Sequence, residues 1–273
     1  MIIDTHAHVN FHAFEADRET IIKDCLAKQV LMVNIGSNLP TSQKAVEMAQ
    51  QYEGLWASVG LHPIHLASEL QADEDEDPTD EKNFDYEVYK HLAQSPKVVA
   101  IGEMGLDYYY KPKSEAKKKV FKQVQTDLLA QELKLCKELD KAAILHCRMA
   151  YEDMLSFFQS NPDLIPKRAV LHCFMAPQFL QGFLDLGFYI GLNGIIYKNI
   201  EGINFPEMVR AVPMERLVLE TDCPYLPPPE KKGERNTPLG VLCVAKTVAE
   251  WKDIKEGELV EIANSNAQKL FLI

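Results

Sequence analysis

The chain opens MIIDTHAHVN (residues 1–10), and the reading of this stretch decides the fold. Apolar Ile2 and Ile3 lead into Asp4, and His6 and His8 follow one residue apart. In a β-strand, alternating side chains send His6 and His8 to the same face. Two imidazoles converging on one point suggest a metal, the alternative being ordinary polar residues just past a strand end, and the rest of the chain decides between them. The same figure recurs along the chain: IID (2–4), VLMVNIG (30–36), LWASVG (55–60), VVAIGE (98–103), AAILH (142–146), AVLH (169–172), FYIGLNG (188–194) and LVLETD (217–222). Most are near-continuous apolar runs, the mark of strands buried on both faces of a parallel sheet. Helical patterns fill the gaps at 17–28, 41–52, 86–94, 114–139, 150–161, 177–186, 205–212, 238–251 and 256–271. Eight strands, each followed by helix, predict a (β/α)8 TIM barrel as one domain over residues 1–273. A doubly wound open sheet is the alternative.

Composition narrows the function classes. At 273 residues and 47% apolar, the chain can bury a large core. It has no apolar run of about 18 residues or more, so no membrane span is expected. No basic segment and apolar run of the secretory kind opens it, and its six cysteines form no CxxC pair. Reduced thiols and a cytoplasmic location are the expectation. A net charge of −11 disfavours a broad basic face for nucleic acid, but not local cations around one strand end.

The chemistry gathers where barrels keep it, at the carboxyl ends of strands. His6 and His8 end the first strand, His62 (VGLHP) the third, Glu103 (AIGEMGLDY) the fourth, His146 (AILHCR) the fifth, His172 (VLHCF) the sixth and Asp222 (LVLETDCP) the eighth. A lone histidine after an apolar run is commonly structural; recurrence at one end of several strands points to metal. Strand alternation sends Cys147, Cys173 and Cys223 away from the ligands they follow. A His, Glu and Asp set suits Zn2+, Mn2+ or Mg2+. The ligands outnumber one tetrahedral site, which predicts two divalent ions, with Glu103 as the bridge because its carboxylate has two oxygens. Asp222, the one carboxylate expected beside the attacking water, is the candidate proton acceptor.

Together DTHAHVN, VGLHP, IGEMGLDYY, HCR, HCF and ETDCPYLPP, followed by ERNTP, resemble the TatD family of metal-dependent deoxyribonucleases, in the family's order over nearly the whole chain. The resemblance implies a metallo-hydrolase barrel that cleaves DNA phosphodiester bonds, often from the 3′ end, with single-stranded DNA ends as the partner. It implies that His6, His8 and Asp222 hold one ion and His146 and His172 the other, with Glu103 touching both. It marks His62 and Arg148 as substrate-side residues. The chain departs from the family at Met149-Ala150 after HCR and at Met175-Ala176 after HCF, where the family commonly has an acidic and a small residue, and Ser-Gly.

Two segments stand outside this pattern. The acidic ELQADEDEDPTDEKNFD (69–85) is expected to be a solvated loop. YYYKPKSEAKKKVFK (108–122) carries six lysines, which with Lys231, Lys232 and Arg235 are expected to rim the mouth. Tyr108, Tyr109 and Tyr110 either stack a terminal base or pack beneath the loop. An amidohydrolase-type enzyme acting on a C–N bond, ester or lactone is the enzymatic rival, since one barrel serves both chemistries. A non-catalytic metal-binding barrel is the rival of another class.

Overall fold

The computed structural model describes residues 1–66, 75 and 81–273. Eight parallel strands, β1 (Ile2–Ala7), β2 (Val30–Ile35), β3 (Leu55–Val59), β4 (Val98–Asp107), β5 (Ala142–Arg148), β6 (Ala169–Leu171), β7 (Tyr189–Leu192) and β8 (Leu217–Leu219), pair in sequence order. A bridge from Ala7 to Cys223 brings the end of β1 against the segment after β8. The His8 N–H donates to the Cys223 carbonyl at 2.9 Å and the Asp222 N–H to that of His6 at 2.8 Å. This is the predicted (β/α)8 barrel, and the open-sheet alternative falls.

The helices match the periodicity closely: α1 (Arg18–Ala27), α2 (Leu39–Gln51), α3 (Tyr86–Ala93), α4 (Glu115–Leu139), α5 (Tyr151–Ser160), α6 (Leu180–Asp185), α7 (Phe205–Ala211), α8 (Gly240–Lys252) and α9 (Glu256–Phe271). Caps set several starts. The Asn38 side chain accepts the Thr41 N–H at 2.9 Å ahead of α2, and Ser114 accepts that of Lys117 ahead of α4. No helix among the described residues is long and apolar enough to cross a membrane.

Two apolar clusters hold the barrel. The larger lies between strands and helices and includes Met32, Met104, Leu145 and Leu219. The smaller gathers Ile3, Val33, Ile144, Val170 and Val218 from separate strands, with Leu270 and Phe271 of α9 against them. Burying each such side chain contributes about 1.5–3 kcal/mol.

Strict alternation would carry the site residues the wrong way, and two bulges correct it. Ile3 belongs to the smaller cluster, so the same face continues through Thr5 and Ala7, not His6. The pairing runs Asp4 to Met32 and then Ala7 to Asn34, three steps on β1 against two on β2. The extra residue turns His6 and His8 inward. β4 repeats the device: Ile101 pairs with Ala143 and Met104 with Leu145, so Gly102 and Glu103 share one partner position and Glu103 enters the mouth.

Of the acidic stretch, residues 69–74 and 76–80 lie outside the described residues. Its described part is not simply solvated. Glu81 accepts the Leu39 N–H at 2.7 Å and the Tyr89 hydroxyl at 3.2 Å, and Asp85 caps α3.

Candidate metal centre

All eight site residues expected from the sequence meet at the carboxyl mouth. His8, His62, Glu103, His146, Arg148, His172 and Asp222 line a cavity of about 370 Å³, and His6 lies beneath it, 3.1 Å from His8 between Nε2 atoms.

Glu103 is at the centre, and its two oxygens face different partners. Oε2 lies 3.2 Å from His6 Nε2 and 3.8 Å from His8 Nε2. Asp222 Oδ1 completes that set, 3.6 Å from His6 Nε2 and 3.3 Å from His8 Nε2. Oε1 lies 2.8 Å from both His146 Nδ1 and His172 Nε2, and 3.2 Å from His62 Nε2. Burial alone would raise the Glu103 carboxyl, but His172, His62 and His6 around it hold it well below the usual range. For Asp222 too, burial is outweighed, by the hydrogen bond with His8 and the fields of His6 and His172, and it stays ionised.

Hydrogen bonds on the far side of each ring decide which nitrogen is free to ligate. His8 Nδ1 donates to the Ile35 carbonyl at 3.1 Å, which leaves the Nε2 lone pair facing Asp222 and His6. His146 donates from Nε2 to Asp107 Oδ2 at 3.0 Å, which leaves Nδ1 facing Glu103 and His172. His62 is the opposite case. Its Nδ1 accepts the Ile64 N–H at 3.0 Å, so Nε2 carries the proton and donates to Glu103. A protonated nitrogen cannot bind a metal, so His62 is a donor to whatever occupies the mouth.

The residues fit divalent cations. His6, His8 and Glu103 form one group whose ligand atoms lie within 4.8 Å of one another, and on the other side of Glu103 the His146 Nδ1 and His172 Nε2 atoms lie 2.8 Å from Oε1 and 3.1 Å from each other. His6 Nδ1 and His172 Nδ1 are buried without a hydrogen-bond partner among the described residues. Imidazole nitrogens facing one another across 3.1 Å are held together best by a cation between them.

Three supporting carboxylates escaped the sequence reading. Asp107 backs His146, whose hydrogen bond overrides burial and holds the carboxyl at about 2. Glu220 Oε1 lies 3.7 Å from His172 Nδ1 and is itself fixed by the Cys173 N–H at 2.7 Å and the Asn193 amide at 3.0 Å. Asp4 accepts the Thr221 hydroxyl at 2.6 Å, the Thr221 N–H at 3.0 Å and the His6 N–H at 3.2 Å, which locks the ends of β1 and β8 together. The available signal was position: Asp107 follows Gly105 and Glu103 along one inward row, and Glu220 sits two residues before Asp222.

Other expectations divide. Cys223 packs in the large apolar cluster as expected; Cys147 belongs to that cluster but also lines the mouth, and Cys173 lines it without joining the cluster. β6 has ended at Leu171 and Cys173 has φ of 49°, so alternation no longer governs it. Arg235 does not join the rim. It binds Asp17 at 2.6 Å and the Ala13 carbonyl, with its guanidinium over Phe14. Tyr108 packs beneath the loop against Phe121, whereas Tyr109 and Tyr110 stay exposed. Arg148 forms no salt bridge among the described residues; its guanidinium carbon lies over Tyr109, 3.7 Å from the ring centre.

Comparison with known proteins agrees with this geometry. A sequence model described as TatD related DNase matches residues 3–272. An uncharacterized metal-dependent hydrolase of Bacillus subtilis, YabD, is 33% identical, with the alignment covering 100% of both chains. A Klebsiella pneumoniae protein named 3′-5′ ssDNA/RNA exonuclease TatD is 32% identical over 99% of this chain and 97% of its own. The crystal structure of a TatD homolog from Escherichia coli superposes with a TM-score of 0.82 at 26% identity, covering 100% of this chain and 98% of that one. The sequence match spans nearly the whole chain and the mouth holds a buried His and carboxylate cluster suited to metal: the protein belongs to the TatD family and is a metal-dependent hydrolase.

Proposed function

We propose that the protein is a nuclease that removes nucleotides from the 3′ ends of single-stranded DNA with two divalent ions, Mg2+, Mn2+ or Zn2+, at the mouth. The observation that carries this reading is the division of Glu103, with one oxygen toward His6, His8 and Asp222 and the other toward His146 and His172. Two ions so held would activate water and neutralise charge on a phosphodiester. The exonuclease names of several relatives support the substrate class.

The chain's own groups have distinct tasks. Asp222 is the most open of the carboxylates around Glu103, with its side chain 15% exposed against 4% for Glu103. It is ionised and at the cavity wall, where it accepts the proton of the attacking water. His62, whose Nε2–H meets Glu103 Oε1 at 3.2 Å, lines the cavity where the reacting phosphoryl group would lie and would share that N–H with it. Arg148, held over Tyr109 at the cavity wall, offers its N–H groups to a phosphate in a forked pair. Glu103 takes the place that a modified lysine from the fourth strand holds in many binuclear amidohydrolases, and this favours phosphodiesters over C–N bonds.

The test is digestion of a 5′-labelled single strand with added Mg2+ or Mn2+, beside Glu103→Ala. Stepwise shortening that EDTA and the substitution both abolish is the expected result. A protein loaded with two ions that shortens no strand, yet hydrolyses amides, esters or lactones, would establish the amidohydrolase reading instead.

A further inference from the structure

A second cavity, of about 690 Å³, opens between the start of α4 and the start of α5. It shares a wall with the metal mouth. At the end of β5, Arg148 lines the mouth, and the next residues, Met149 and Ala150, line the second cleft. Tyr108 forms part of its other wall, and the neighbouring Tyr109 stacks on Arg148.

Three large apolar side chains stand in solvent at this junction: Met149 is 62% exposed, Tyr109 52% and Tyr110 49%. Met149 is held there by a left-handed backbone with φ of 56°, a conformation that costs a non-glycine residue on the order of 1 kcal/mol. This is also the first place where the chain departs from the family pattern. The charge is uneven as well. Six of the chain's 29 Lys and Arg residues fall between Lys111 and Lys122, in a protein of net charge −11. Within the cleft, Lys118 pairs with Glu115 at 2.5 Å and Lys122 with Asp153 at 2.8 Å. Lys111 and Lys119 form no ion pair among the described residues.

We propose that this cleft holds the single strand behind its scissile end, with bases on Met149 in its wall and on the Tyr109–Tyr110 pair beside it, and backbone phosphates on Lys111 and Lys119. The proposal rests on the nuclease reading of the mouth. An unstacked strand offers both a π-face and a phosphate at each nucleotide, the pairing that exposed aromatics beside free cations recognise. A duplex hides its base faces and needs a broad basic surface, and two free ammonium groups beside Glu152 do not make one.

The experiment measures KM for single strands from a dinucleotide to roughly twelve nucleotides, with the dinucleotide as internal reference. The proteins compared are the wild type, the double variant Lys111→Glu with Lys119→Glu, the double variant Lys111→Gln with Lys119→Gln, and Tyr110→Ala. In the wild type, KM falls as the strand lengthens. The charge reversal erases that fall, with KM for the longest strand up about tenfold or more, and the salt dependence of binding loses about 1.4 units of slope. The neutral pair gives an intermediate loss, which excludes misfolding as the cause. Tyr110→Ala also raises KM for long strands but leaves the salt slope in place. A length dependence and salt slope that survive both double variants overturn the proposal. A wild type that cleaves no strand of any length overturns the nuclease reading, and the proposal with it.

Discussion

Asp107 Oδ2 lies 3.0 Å from His146 Nε2, while Nδ1 on the other side of the same ring lies 2.8 Å from Glu103 Oε1. The carboxylate thus fixes which nitrogen His146 turns toward the metal centre. Partners of this kind are worth about 10–100-fold in metal affinity. Asp107→Ala should therefore weaken one of two Mn2+ binding steps by that factor and spare the other, as read by titration calorimetry. Equal loss at both steps, or none, would contradict the assignment.

Gly105 pairs with His146 across β4 and β5, at φ of 150°. A Cβ there would come 1.9 Å from the His146 carbonyl oxygen. Gly105→Ala must move the backbone that carries a ligand, so it should cost about 3 kcal/mol or more in stability by denaturant unfolding. A midpoint equal to that of the wild type would show that β5 can shift freely.

Glu132 of α4 gives the fold a pH dependence. Its Oε1 accepts the Leu61 N–H at 2.9 Å, beside His62, and its Oε2 has no partner among the described residues. Burial first, opposed by that hydrogen bond and aided by Glu81, raises its pKa well above the usual carboxylate value. The folded protein then keeps a proton that the unfolded chain releases above about pH 4.3. Stability from this group is complete below that pH and falls as pH rises toward the folded pKa. Glu132→Gln removes the titration. Its stability relative to wild type should improve with rising pH, by up to about 1.4 kcal/mol per pH unit, in unfolding measured from roughly pH 4 to 8. A constant difference across that range would refute the account.

Arg148 lies over Tyr109 and lines the cavity. Lysine keeps the charge but loses the planar stack and the forked donors. Arg148→Lys should lower kcat/KM on a single strand about 10–100-fold with metal content unchanged. Loss of metal in that variant would move Arg148 from substrate binding to support of the centre.

The sequence carried the strands, the helices and the eight residues of the mouth, because apolar runs and chemistry-bearing ends are local signals. What it hid were relations between distant segments. Asp4 meets Thr221 across 217 positions and Asp107 meets His146 across 39, and no spacing rule links them. The bulges in β1 and β4 were equally silent, although Gly102 and Gly105 mark the second. Simple alternation put His6 and His8 on one face correctly, yet only the bulge puts that face inward. Alternation failed for Cys173 because β6 is three residues long and the chain turns before reaching it. Arg235 carried charge as expected, but its neighbours Asp17 and Phe14 come from another part of the chain.

The central claim is that one carboxylate, Glu103, joins two ion sites, and Mn2+ titration followed by electron paramagnetic resonance tests it most directly. The account predicts two ions per chain whose spins are coupled through the shared ligand, and loss of the coupled signal in Glu103→Ala. A single ion at saturation, or two ions with independent signals, would contradict it.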